Sequence, residues 1–148
     1  MKIIVDADAC PKTVLAICFE LAARYGAGIV TVASFVHLID SADHVVVGDG
    51  SQETDIRIMN LVEKGDVVVT QDWALAAVVL GKGGRAVSPS GRIYTPEFIP
   101  FLLEEREMKA RFRRTGGRTK GPSKRTRADD LRFRKALTSL LEQKPTAP

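Results

Sequence analysis

Apolar residues arrive along this chain in short unbroken runs, separated by longer stretches in which they recur at helical spacing. The runs Lys2 to Asp6, Gly28 to Ala33, His44 to Val47, Asp66 to Thr70 and Arg85 to Ser88 are rich in valine and isoleucine. Their length and β-branched content predict strands buried on both faces. Between the first two, PKTVLAICFELAARYG sets Val14, Leu15, Cys18, Leu21 and Ala22 on one helical face, with Pro11 suited to the first turn and Gly26 to the end. A weaker helical turn is expected near Phe35 to Leu38, a helix from Gln52 to Lys64 with Ile56, Met59, Leu61 and Val62 apolar, and another from Trp73 to Leu80. Strand and helix signals that alternate in this way predict an α/β fold, a mainly parallel sheet covered by helices.

Beyond the last strand signal the punctuation changes. Gly91 to Tyr94 reads as a hairpin return, and Thr95-Pro96-Glu97 as an N-cap with proline at the first helical position of a helix reaching about Arg114. TGGRTKGPSKRT is a glycine- and lysine-rich loop. Thr126 with Asp129 forms a capping box for a last helix through Leu141. The organisation expected is residues 1–115 as an α/β unit, 116–128 as a basic loop, and 129–148 as a helix and tail of the same domain. A chain of 148 residues suits one domain with a real core.

Composition removes some classes. No run approaches the ~18 to 20 apolar residues of a membrane helix, and the chain opens on a strand signal without a charged-then-apolar leader, so a cytoplasmic protein is expected. Cys10 and Cys18 lie eight residues apart, about 12 Å in helical rise, which excludes a disulfide between them.

Charge is divided sharply. Residues 1–105 carry 8 Lys and Arg against 14 Asp and Glu, a balance of −6, whereas residues 106–135 carry 13 against 3, a balance of +10. An acidic body with a basic helical C-terminal arm points to an anionic polymer as partner, through 106–135. Lys109, Arg111, Arg113 and Arg114 crowd one end of a predicted helix, and Arg118, Lys120, Lys124, Arg125 and Arg127 follow. Gly116, Gly117 and Gly121 would let backbone N–H groups approach phosphate. Phe112 and Phe133 give weak support for base stacking, so the binding expected is dominated by the phosphate backbone. A solvated tail is the plainer reading of the same charge. A homodimer is compatible with the sequence, and no membrane partner is expected.

The strand runs also deliver acids at their ends: Asp6 and Asp8 after the first, Asp49 after HVVV, Asp72 after DVVVTQ. Carboxylates gathered at the carboxyl ends of parallel strands repel one another unless a cation sits among them. Each has an innocent reading as well. Asp72 stands where a helix starts, Asp49 lies between two glycines as turn residues do, and Asp55 can face solvent. If the strands ending at Asp6 and Asp72 are neighbours, about 4.8 Å apart, one cation serves both acids.

The order Asp6, Asp8, Asp55, Asp72, with the last in VVVTQD, resembles the PIN-like nuclease superfamily. VDADACP, GDVVVTQDWALAA and RRTGGRTKGP are similar to the YaiI/YqxD family of bacterial proteins, and the resemblance covers nearly the whole chain. It implies a three-layer α/β/α fold with a central mainly parallel sheet. It implies Asp6, Asp55 and Asp72 as ligands of Mg2+ or Mn2+, with Asp8, Asp49 or Glu53 as auxiliary acids, and metal-dependent phosphodiester hydrolysis, of RNA ahead of DNA. In such chemistry one ion activates water and a second stabilises the leaving oxygen about 4 Å away, with no protein nucleophile. Thr70 fits a supporting role toward an acid. One departure stands out: Trp73 to Ala77 are all apolar where PIN domains carry a further acid.

Three rival readings accompany this one. A nucleic-acid or ribosome-associated binding module would use the fold and the arm without catalysis. A haloacid-dehalogenase-like phosphatase is partly imitated by DADA at 6–9 and GDGSQETD at 48–55, though the second motif comes too early and Cys10 replaces the expected Thr or Val. Cys10 could itself be a nucleophile near a helix N-terminus, or a plain neighbour of Pro11.

Overall fold

A computed structural model describes residues 1–34, 44–48, 51–118 and 124–143. The elements in order are β1 (Lys2–Asp6), a single 3-10 turn (Ala7–Ala9), α1 (Lys12–Tyr25), β2 (Gly28–Ser34), β3 (His44–Val47), α2 (Ser51–Leu61), β4 (Val67–Val69), α3 (Trp73–Gly81), β5 (Arg85–Val87), β6 (Ile93–Tyr94), α4 (Ile99–Arg114) and α5 (Arg127–Glu142). The helical turn expected near Phe35 to Leu38 lies outside the described residues.

Six strands form one sheet in the order β3-β2-β1-β4-β5-β6, with every pair parallel except β5 and β6. The chain starts in the middle, builds outward through β2 and β3, then crosses back to lay β4 on the other side of β1. That reversal lies between β1 and β4, where open α/β sheets leave a crevice at their carboxyl ends.

Alternation along each strand sorts the core into two layers. Ile3, Val5, Val67, Val69 and Val87 face one side and pack with α1 and α5, through Val14, Cys18, Leu21, Phe133 and Leu137. Ile4, Val32, Val68 and Ala86 face the other, against Ile58 of α2 and Val62 just after it, Leu75, Ala76 and Val79 of α3, and Leu102 of α4. Both faces are covered, which is why the strands read as unbroken apolar runs. The architecture is a three-layer α/β/α fold around a mainly parallel sheet.

Two helices differ in detail from the sequence expectation. The buried stripe of α2 is Thr54 and Ile58, continued by Val62 just past the helix end, while Ile56 is 55% exposed. The helix ends at Leu61, three residues earlier than expected, as the chain turns into β4. In α4 the cap is Phe98, with Pro100 in the first turn, because Thr95 to Phe98 close a turn of their own in which Phe98 N donates to the Thr95 carbonyl at 3.0 Å. The Thr126–Asp129 capping box of α5 is present in full.

The basic arm therefore consists of two helices of different standing. The distal turns of α4 are exposed, whereas α5 completes a core layer with Phe133, Ala136, Leu137, Leu140 and Leu141 buried. Gly117 ends the α4 hairpin of chain closely: a Cβ there would stand 2.4 Å from the Phe112 ring.

Candidate functional site

β1 and β4 run in parallel register, Val5 beside Val69, so Asp6 and Thr70 leave the sheet side by side. Thr70 Oγ1 donates to Asp6 Oδ2 at 2.9 Å and accepts from Asp72 N at 3.0 Å. One buried hydroxyl thus links the two strand ends. Asp72 is the N-cap of α3, and its Oδ1 accepts from Ala74 N at 2.9 Å and Leu75 N at 3.3 Å. The capping role and a place in the acid cluster coexist. Asp55, early in α2, reaches the same place and shares a hydrogen bond with the Asp72 side chain.

Asp8 is held differently. Its Oδ1 accepts from Ser34 N at 2.8 Å and Ser34 Oγ at 3.0 Å, and its Oδ2 from Thr54 Oγ1 at 3.2 Å. It ties the turn after β1 to the end of β2 and to α2. Glu53 folds its carboxylate back over Gly48, where a Cβ would stand 1.9 Å from Oε2. Asp49 lies outside the described residues.

Repulsion marks the cluster. Burial raises the Asp6 carboxyl above its ordinary value, the Thr70 hydrogen bond opposes this, and the charges of Asp8 and Asp72 add to the rise. Burial, then the charges of Asp72 and Asp6, then the hydrogen bond with Asp72, push Asp55 up to about 6. Among the described residues the charges that shift these two groups are those of Asp6, Asp8 and Asp72. The donor set, carboxylate oxygens alone, suits a hard divalent cation. Among the described residues no three acid, histidine or cysteine side chains stand already converged for an ion. Asp6, Asp8 and Asp72 each spend oxygens on protein donors instead, as the contacts above describe. The Cys10 thiol is pushed up to about 12, by burial first and the Asp6 charge second, against Arg125, and so makes a poor nucleophile.

Beside the acids, toward β5, lies a cleft of about 460 Å³. Gln71 and Trp73 border it on either side of Asp72, with Ser90, Arg92, Tyr94 and Arg125 among its other walls. Tyr94 Oη donates to the Thr70 carbonyl at 3.1 Å, fixing the cleft to the acid cluster. Gly91, at φ +91°, turns the chain between β5 and β6 so tightly against α5 that a Cβ would stand 2.7 Å from the Arg132 carbonyl carbon. Sequence reading missed this cleft. Tyr94 gains its role from an antiparallel pairing, and only Trp73, the single tryptophan, gave a local signal.

The basic residues fall into two groups. Lys109, Arg111, Arg113 and Arg114 are exposed on α4, with Lys109 paired to Glu105 at 3.0 Å and Arg111 to Glu107 at 3.6 Å. Arg118, Lys124 and Arg127 are exposed. Arg125 faces the cleft and holds Asp130 at 2.7 Å. Lys120 lies outside the described residues. Among the described residues no helix is long and apolar enough to cross a membrane.

Known proteins resemble this chain over nearly its full length. It is 59% identical over 143 residues to a UPF0178 protein of Heliobacterium modesticaldum, spanning 97% of this chain and 98% of the relative. A UPF0178 protein of Exiguobacterium sibiricum is 41% identical over 144 residues, spanning 97% and 99%, and one of Alkaliphilus metalliredigens 40% over 147, spanning 97% and 93%. No solved structure matches. The family model described as uncharacterized BCR, YaiI/YqxD family, matches residues 4–143, and with the VDADACP and TQDWALAA segments inside that span the chain belongs to the YaiI/YqxD family.

Proposed function

We propose that this protein is a PIN-like nuclease that uses Mg2+ or Mn2+ to hydrolyse phosphodiester bonds, in RNA ahead of DNA. The observation that carries the reading is the set Asp6, Asp55 and Asp72 at the β1/β4 reversal, where the charges acting on Asp6 and Asp55 are all negative. Asp6, Asp55 and Asp72 would hold the cation. When bound, such an ion would supply Lewis acidity toward phosphate oxygens and lower the pKa of a water it holds.

The chain's own groups do the positioning. Thr70 orients Asp6 and fixes the Asp72 backbone, and Asp8 braces the loop after β1 against β2 and α2. Burial and the neighbouring charges of Asp72 and Asp6 push the Asp55 carboxyl up to about 6, so a cation held there would relieve the repulsion. The α4 cations would attract the polymer through its phosphates.

A noncatalytic nucleic-acid or ribosome-associated binder is the second reading. The engagement of Asp6, Asp8 and Asp72 oxygens by protein donors favours it. A haloacid-dehalogenase-like site is less well supported, since β3, which leads into Gly48, is separated from β1 by β2.

Cleavage of labelled single-stranded RNA and DNA, with manganese or with EDTA, decides between the first two. Asp6→Asn and Asp72→Asn are expected to lose at least about a hundredfold in rate. Asparagine caps helices as well as aspartate does, so Asp72→Asn should remain folded. Equal cleavage by the double variant and the wild type would remove the nuclease reading.

A further inference from the structure

We infer that the cleft between Trp73, Ser90, Arg92 and Arg125 is a binding subsite for one nucleotide of a nucleic-acid chain, with the phosphate on the arginines and the base against the tryptophan. The inference rests on the nuclease reading for its direction, since it places this nucleotide next to the acids.

Size and continuity come first. A volume of about 460 Å³ is within the range of small-ligand pockets and fits one nucleotide. Gln71 and Trp73 line the cleft while Asp72 between them belongs to the acid cluster, so a chain entering one must pass the other. Tyr94 joins them through Thr70.

Charge comes next. The Arg92 guanidinium lies 5.0 Å from the centroid of the Phe98 ring and that of Arg106 lies 5.5 Å from the centroid of Trp73. Among the described residues neither is paired with a carboxylate, so their charge is held over aromatic faces and left for a ligand. Arg125 uses Nε on Asp130, while one of its Nη nitrogens is buried with no hydrogen-bond partner among the described residues. Leaving a buried guanidinium donor unmet is costly, and a phosphate oxygen is its natural complement. The one carboxylate on the wall, Asp129, is occupied by the capping box with Thr126 and by Arg132. Guanidinium groups beside an indole are the combination that holds a single-stranded nucleotide without reading its sequence.

Trp73 is the only tryptophan, so its fluorescence reports the cleft alone. The full-length protein in EDTA is titrated with adenosine 5′-monophosphate, adenosine and inorganic phosphate, followed by fluorescence and by calorimetry. Saturable binding of the monophosphate is expected, with adenosine and inorganic phosphate each weaker by roughly tenfold or more. Arg92→Ala, an exposed position, should weaken the monophosphate roughly fivefold to tenfold, and Ser90→Phe, which fills the cleft, should abolish it. A short oligonucleotide competing more strongly than the monophosphate marks the ligand as a chain. Inorganic phosphate binding as tightly as the monophosphate would reduce the cleft to an anion site and overturn the inference. So would the absence of both heat and fluorescence change at millimolar monophosphate, or binding indifferent to Arg92→Ala and Ser90→Phe. Monophosphate binding that obeys these variants in a protein without metal-dependent cleavage would uphold the nucleotide site while the nuclease reading fails.

Discussion

Thr70 shows how much one side chain can organise. Its hydroxyl joins Asp6 to the backbone of Asp72, and its carbonyl receives Tyr94, so the acid cluster and the cleft share an anchor. Asp55 is the acid least supported by protein donors and carries the clearest consequence of crowding. Its folded pKa of about 6 lies above the ordinary 3.8, so the folded protein binds this proton more tightly than the unfolded chain. That contribution to stability is fully present below about pH 4 and is lost as pH rises through about 6. At neutral pH the metal-free protein is therefore strained by the Asp55 charge. Asp55→Asn should raise its stability near pH 7 by about 1 kcal/mol after allowance for solvent screening, and by much less near pH 4. Thermal melts of both proteins in EDTA at the two pH values check this. An equal effect at both would show that repulsion is absent. Among the sequence candidates, Asp6, Asp8, Asp72 and Thr70 could be placed because strand ends are legible, whereas Asp55, inside α2, was pointed to only by the family resemblance. The partners that hold them, Ser34 and Thr54 for Asp8, were not, since a hydrogen bond across 26 or 46 residues leaves no local pattern.

Strands β1 and β4 were readable because burial on both faces imposes unbroken valine and isoleucine runs on them, whereas β3, at the sheet edge with Val46 51% exposed, keeps its valines without burial on both faces. Helices with one buried stripe were readable to within a few residues, and their errors have causes. Ile56 looked like part of the α2 face, yet Thr54, Ile58 and Val62 are the stripe because polar Thr54 earns its buried place by bonding Asp8. Thr95 looked like a cap because Pro96 follows it, but a turn intervenes before α4. The two helices of the basic segment call for different tests. Removing everything after Glu105 would delete Phe133 and Leu137, both fully buried, and losing one such phenylalanine alone typically costs about 3–5 kcal/mol. Truncation would therefore unfold the chain and report nothing about binding. Charge removal on α4 is the clean experiment. Arg113→Ala with Arg114→Ala should leave the melting temperature unchanged and lower the slope of log affinity against log salt by roughly 1.5 for single-stranded nucleic acid. An unchanged slope would detach α4 from the polymer.

At the scale of the whole molecule, the acid cluster and the basic segment are parts of one electrostatic arrangement. On the proposed reading, a site of carboxylates would repel the phosphates that the α4 cations and the cleft arginines would attract, unless a divalent ion stood between acid and substrate. The fold supplies the place: β1 and β4 are neighbours at the chain reversal, and α2 and α3 both begin there. Much of this was foreshadowed by the order of acids after strand runs. The neighbouring of β1 and β4 was a condition that only the sheet could meet, whereas the antiparallel β6 that frames the cleft matches the hairpin return read at Gly91 to Tyr94. On the reading proposed above, Asp6, Asp55 and Asp72 hold one divalent ion. Anomalous diffraction from manganese-soaked crystals addresses it most directly. A manganese peak bound by these three carboxylates, and lost in Asp6→Asn, is the result predicted; soaked crystals with no peak among them would contradict it.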